Sequence, residues 1–199
     1  MSVDKVILKA FLSTLGAALA LMVFLIGGIS LFFPQSMMKI TYNLGMEETA
    51  VFFAEVSYSR TDEVYYIAYA TEVAIQDDNQ KKVIECGQQF IADKKFDSYC
   101  KEKNKGVEKD VAGYDQYIYG RVCMAKYESG DKEGAVALAF EGIGKTFPKN
   151  NAVAAVLIQA KKLKDNATVA SIKEKMEQLQ TELEGDTTYF DEILELINS

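Results

Sequence analysis

Histidine and tryptophan are absent from this chain of 199 residues, proline occurs twice and cysteine three times. Without histidine there is no Ser-His-Asp triad, no Cys-His dyad, no His-ligated metal and no imidazole proton shuttle. Cys86, Cys100 and Cys123 form an odd set with no CxxC pair, which is neither a disulfide framework nor a closed four-ligand metal site. Basic residues are outnumbered, 22 against 29 acidic, for a net charge of -7. That balance excludes a nucleic-acid binder working by bulk electrostatics, because such proteins concentrate Lys and Arg to displace counterions from phosphate. The run Gly142-Ile143-Gly144-Lys145-Thr146 lacks the upstream glycine spacing and the preceding strand of a phosphate loop. No catalytic residue, cofactor or metal is assigned, and binding is expected in place of enzymatic chemistry.

What the chain does have begins with Ala10 to Phe33, 24 residues without a charge, between Lys9 and Pro34. As one helix this run would reach roughly 36 Å, against roughly 30 Å of hydrocarbon in a bilayer. It is longer than the apolar core of a secretory signal and lacks a small-x-small cleavage site. The expectation is a short tail over 1–9 and an uncleaved transmembrane helix over 10–33. Lys5 and Lys9 before the run, against Lys39 in the twenty residues after it, favour a single-pass cell-membrane protein. Its N-terminus would be cytoplasmic and its C-terminal part extracytoplasmic.

Beyond Pro34 the sequence turns polar and periodic, with apolar residues three and four apart between Gly, Asn and Asp breaks. The spacing predicts helices over 35–43, 47–59, 62–77, 79–93, 95–103, 113–129, 131–146, 150–164, 168–184 and 187–198. Asn166 is expected to cap the helix that follows it. No segment alternates with period two and ends in a hairpin turn. The fold class is therefore all-α: juxtamembrane helices over 34–61, then a helical domain over 62–199. Lys101-Glu102-Lys103-Asn104-Lys105 is taken as an exposed loop, and the acidic run from Glu177 to Glu195 as a solvated helix surface.

Aligning the breaks at Asp78 and Gly130 lays Tyr65–Phe90 over Tyr117–Gly142, two units with a tyrosine-rich first helix and a tight acidic break. In the second unit Tyr119, Val122, Cys123, Gly130, Asp131, Ala135 and Ala139 present aromatic, medium, small, turn and small positions in order. This resembles the tetratricopeptide repeat, best over 115–148 and more loosely over 62–184. The units stand 52 residues apart, with the segment 95–113 between them. The resemblance implies an α-solenoid, an irregular array of helix hairpins, whose inner face receives an extended peptide or a helix from a partner protein. It places Tyr65 and Tyr117 at equivalent inner positions, with Glu72 and Arg121 beside them for polar specificity. The function expected is a membrane-anchored protein-protein docking or scaffold module. A chaperone-like accessory of a secretion or envelope-assembly machine, or a small structural subunit of a membrane complex, would use the same architecture.

Overall fold

The computed structural model describes residues 11–21, 27–28, 32–107, 113–143, 152–182 and 188–198, and all regular structure among them is helical. Helix α1 covers 11–21. The others are α2 (Pro34–Asn43), α3 (Glu47–Thr61), α4 (Val64–Gln76), α5 (Gln80–Ile91), α6 (Phe96–Lys103), α7 (Tyr114–Glu128), α8 (Lys132–Ile143), α9 (Ala152–Lys162), α10 (Asn166–Glu182) and α11 (Thr188–Asn198). The chain divides into two compact units, Met1–Asp62 and Glu63–Ser199.

Four pairs of consecutive helices, α2/α3, α4/α5, α7/α8 and α9/α10, close through one turn design. The chain leaves the first helix through a residue in the left-handed region: Gly45 (φ 70°), Asp78 (φ 52°), Gly130 (φ 96°) and Lys164 (φ 56°). The next N–H donates to the carbonyl five residues back, Met46 to Thr41 (2.9 Å), Asn79 to Ala74 (3.0 Å), Asp131 to Lys126 (2.9 Å) and Asp165 to Ala160 (2.8 Å). This closure satisfies a carbonyl that the ending helix leaves without an internal donor. In three of the turns the same residue then caps the second helix. Asn79 Oδ1 accepts the Lys82 N–H (3.2 Å), Asp131 Oδ1 the Gly134 N–H (3.0 Å), and Asp165 Oδ1 the Thr168 N–H (3.3 Å). Asp165, not Asn166, therefore caps α10, and Asn166 lies in its first turn. Gly130 and Lys164 are 34 residues apart, whereas Asp78 and Gly130 are 52 apart because α6 and the loop after it intervene.

Lys164 occupies the left-handed region with a side chain, at a cost of roughly 1–2 kcal/mol. Lys164→Gly should raise stability by about 0.5–1 kcal/mol, the relief of strain exceeding glycine's extra unfolded-state entropy. Urea unfolding reads the change, and a lower midpoint would mean that the Lys164 stem packs in a way that outweighs the strain.

Within Glu63–Ser199, α4 packs on α5, α5 on α7, and α7 on α8, while α9 lies against both α7 and α8 and carries α10. Small residues set these approaches. Gly87 of α5 faces Val122 of α7, and a Cβ on Gly142 of α8 would sit 3.0 Å from the ring of fully buried Tyr119. Cys86, Cys100 and Cys123 are free and buried, and burial pushes the Cys123 thiol up to about 12. Cys123 thus sits as a small packing residue.

The transmembrane expectation is not upheld. Among the described residues no helix is long and apolar enough to cross a membrane. Of the run 10–33, residues 11–21, 27–28 and 32 are described as helical. Residues 10, 22–26 and 29–31 of that run lie outside the described residues, as does the tail 1–9. The single-pass anchor, and the cell-membrane localisation and sidedness drawn from it, are withdrawn. An absence of charge is a property of composition, whereas a crossing requires a long apolar helix, and none is found among the described residues.

Candidate functional site: a tyrosine face around Glu72

Positions i, i+3 or i+4, and i+7 share one face of a helix, so Tyr65, Tyr69 and Glu72 form a stripe along α4, and Tyr114, Tyr117 and Arg121 another along α7. The first turn of α7 reaches α4 at Glu72, and α6 packs against both helices. Tyr99 of α6 stacks against Tyr114 with ring centroids 6.1 Å apart, and Tyr114 lies 6.4 Å from Tyr117. On α4, Tyr65 contacts Tyr66 at 5.4 Å and Tyr69 at 6.2 Å. Fully buried Phe90 of α5 forms the floor, edge-on to Tyr99 at 5.6 Å and to Tyr114 at 6.3 Å. Offset and edge-on arrangements match the ring quadrupoles, so the cluster is a preferred packing of aromatics.

Glu72 is the polar centre. The Tyr114 hydroxyl donates to its Oε1 at 2.5 Å, and Lys103 Nζ lies 3.6 Å from the same oxygen. That ammonium also sits 5.6 Å from the Tyr99 ring centre and 5.3 Å from that of Tyr114. Burial, with the Glu72 charge next, pushes the Tyr99 phenol up to about 12. Burial, then the hydrogen bond to Glu72, lifts Tyr114 well above the ordinary phenol range. Both phenols are therefore neutral across physiological pH, and Tyr114 is available as a fixed donor.

Asn104 holds α6 in place. Its Oδ1 accepts the Tyr114 N–H at 2.6 Å and its Nδ2 donates to Asp115 Oδ1 at 3.0 Å, joining the end of α6 to the start of α7. Lys103 is thus delivered beside Tyr114 by the residue that follows it.

Of the residues expected from sequence, Tyr65 and Tyr117 belong to the ring clusters of α4 and α7 and are open to solvent, at 42 % and 46 % exposure, and Glu72 joins the two helices through Tyr114. Arg121 is not brought to Glu72. It lines a separate hollow with Gln80, Val83, Met124 and Glu128, near the α4–α5 turn. Sequence reasoning missed Tyr99, Lys103 and Tyr114 as parts of the site. Lys103 ends α6, as the helix expected over 95–103 implies, and is exposed, but its ammonium reaches Glu72, which neither the helix nor the loop reading of 101–105 anticipates. The Tyr99–Lys103 spacing of four on one short helix was the available signal.

No family model matches this chain, and neither a curated protein nor a solved structure shows significant similarity to it.

Proposed function

We propose that residues 63–199 form a tetratricopeptide-like array of helix hairpins that docks a segment of a partner protein across the tyrosine face of α4, α6 and α7. The observation that carries this reading is the pair of half-exposed tyrosines, Tyr65 on α4 and Tyr117 on α7, on two helices that the Glu72–Tyr114 hydrogen bond joins. Tyrosine offers a rigid apolar ring with a polar tip, a pairing enriched at protein interfaces. The recurring turn and the 34-residue step from Gly130 to Lys164 support the repeat reading. The departure at α6 gives the face its particular shape.

Tyr65→Glu and Tyr117→Glu place charge on exposed positions. Each should reduce at least tenfold the recovery of a protein cross-linked to the parent chain, while leaving the thermal midpoint within about 2 °C of the parent. Unchanged recovery would remove the tyrosine face from the interaction. A matching loss of folding would show that both rings are core. A docking module retrieves one or two stoichiometric partners; weak capture of many unfolded chains would favour the chaperone-like alternative.

A further inference from the structure

The Glu72 box is already filled, and by an instructive group. Three side chains from three helices converge on one alkylammonium: the Glu72 carboxylate from α4, the Tyr99 ring from α6 and the Tyr114 ring from α7. Both ring distances are within the roughly 6 Å over which a cation is held by an aromatic face. The occupant is the chain's own Lys103, 44 % exposed at its side chain, and Glu72 is 31 % exposed, so the box opens to solvent. The receptor groups are fixed more firmly than the occupant. Tyr114 is tied to Glu72 by its hydroxyl, both rings rest on buried Phe90, and Asn104 fastens the start of α7. Lys103 is at the last turn of an eight-residue helix, held by an exposed pair of a kind that contributes little net stability.

We infer that this box recognises a lysine side chain of the docked partner segment, and that Lys103 is an internal surrogate which the incoming ammonium displaces. The inference rests on the docking reading above and names the chemistry at its centre. Tyr65 and Tyr117 then take the residues flanking that lysine. The net charge of -7 draws basic segments toward the protein before contact. Displacement makes docking a competition, because the apparent affinity of the box falls with the fraction of time Lys103 occupies it.

The test uses the full chain, the peptide Gly-Gly-Lys-Gly-Gly, its norleucine counterpart and n-butylammonium, with binding read from the shifts of labelled tyrosine rings. Lys103→Met removes the competing charge and keeps most of the aliphatic stem. It should bind the lysine peptide about tenfold more tightly than the parent, with Lys103→Gln behaving alike. Adding Glu72→Gln to Lys103→Met should return binding to the parent level or below, and the norleucine peptide should bind neither form measurably. Equal affinity of parent and both Lys103 variants, or equal binding of lysine and norleucine peptides, would overturn the inference. Partner recovery that still depends on Tyr65 and Tyr117 would then leave the docking reading standing without its lysine. n-Butylammonium binding as tightly as the peptide would mean a small-amine site, and would overturn the peptide assignment.

Discussion

Asp165→Ala is expected to lower stability by about 3 kcal/mol at neutral pH, because one carboxylate joins three elements of the array. Its Oδ2 accepts from the Tyr127 hydroxyl of α7 at 2.7 Å, from Lys132 Nζ of α8 at 2.7 Å and from the Thr168 hydroxyl of α10 at 2.8 Å. Alanine would leave the nearly buried Tyr127 hydroxyl without this acceptor and remove the α10 cap as well. Asp165→Asn retains the shape and part of the accepting capacity, and should cost less. These donors, Lys132 first and Tyr127 next, hold the Asp165 carboxyl well below the usual carboxylate range. The sign follows from that depression. The stabilisation is complete above the unfolded-state value of roughly 4 and is lost as pH falls below it, since the unfolded chain then binds a proton that the folded one resists. The gap between parent and Asp165→Ala in urea should therefore be smaller at pH 3 than at pH 7. Tyr127 acts at the other end. Burial and the bond to Asp165 raise its phenol to about 12, so its contribution is full below about 10 and fades as pH climbs through 12. A gap constant between pH 7 and pH 3 would mean that Asp165 is not held as this network requires.

Much of the fold was legible because helix content here is a local property. Apolar residues at three and four, cut by Asp77-Asp78-Asn79, Gly130-Asp131 and Asp165-Asn166, carry both the helices and their turns in adjacent residues, and α2 to α11 fall within a few residues of expectation. The α10 cap was off by one because Asp165 and Asn166 are equally capable caps, and only the closure from Asp165 to Ala160 selects between them. The site was half legible. The repeat register set Tyr65 and Tyr117 on one inner face with Glu72 and Arg121 beside them, but a register along helices does not say how two helices are splayed. Because α7 packs on α5 and not squarely on α4, its first turn reaches Glu72 while Arg121 is carried to the α4–α5 turn. Tyr114 meets Glu72 across 42 positions of sequence, and Lys103 reaches it only because α6 folds back over α4. No periodicity encodes either contact.

That splay has a tight point at Gly87, and it should be a sensitive position in the array. A Cβ at Gly87 would overlap Val122 Cγ2, with Val122 Cβ at 3.5 Å and Thr71 Cγ2 at 3.6 Å behind it. Val122 is fully buried and β-branched, so it has little freedom to turn aside. Gly87→Ala should therefore cost about 1–2 kcal/mol in spite of the roughly 1 kcal/mol that alanine gains over glycine inside a helix. Gly87→Leu should cost about 3 kcal/mol or more by forcing α5 from α7. The decisive comparison is the pair Gly87→Ala with Val122→Ala. Removing the Val122 methyls leaves a cavity when done alone, but makes room for the new Cβ when both changes are present. The two losses should then sum to about 1–2 kcal/mol more than the double substitution shows. Strict additivity in urea unfolding would mean that the helices are not in contact at Gly87. The same separation should be visible at the tyrosine face, because Phe90, one turn along from Gly87, supports both Tyr99 and Tyr114. Gly87→Leu is thus expected to loosen the box around Lys103 as well as the core beneath it, linking the packing of α5 on α7 to recognition at Glu72.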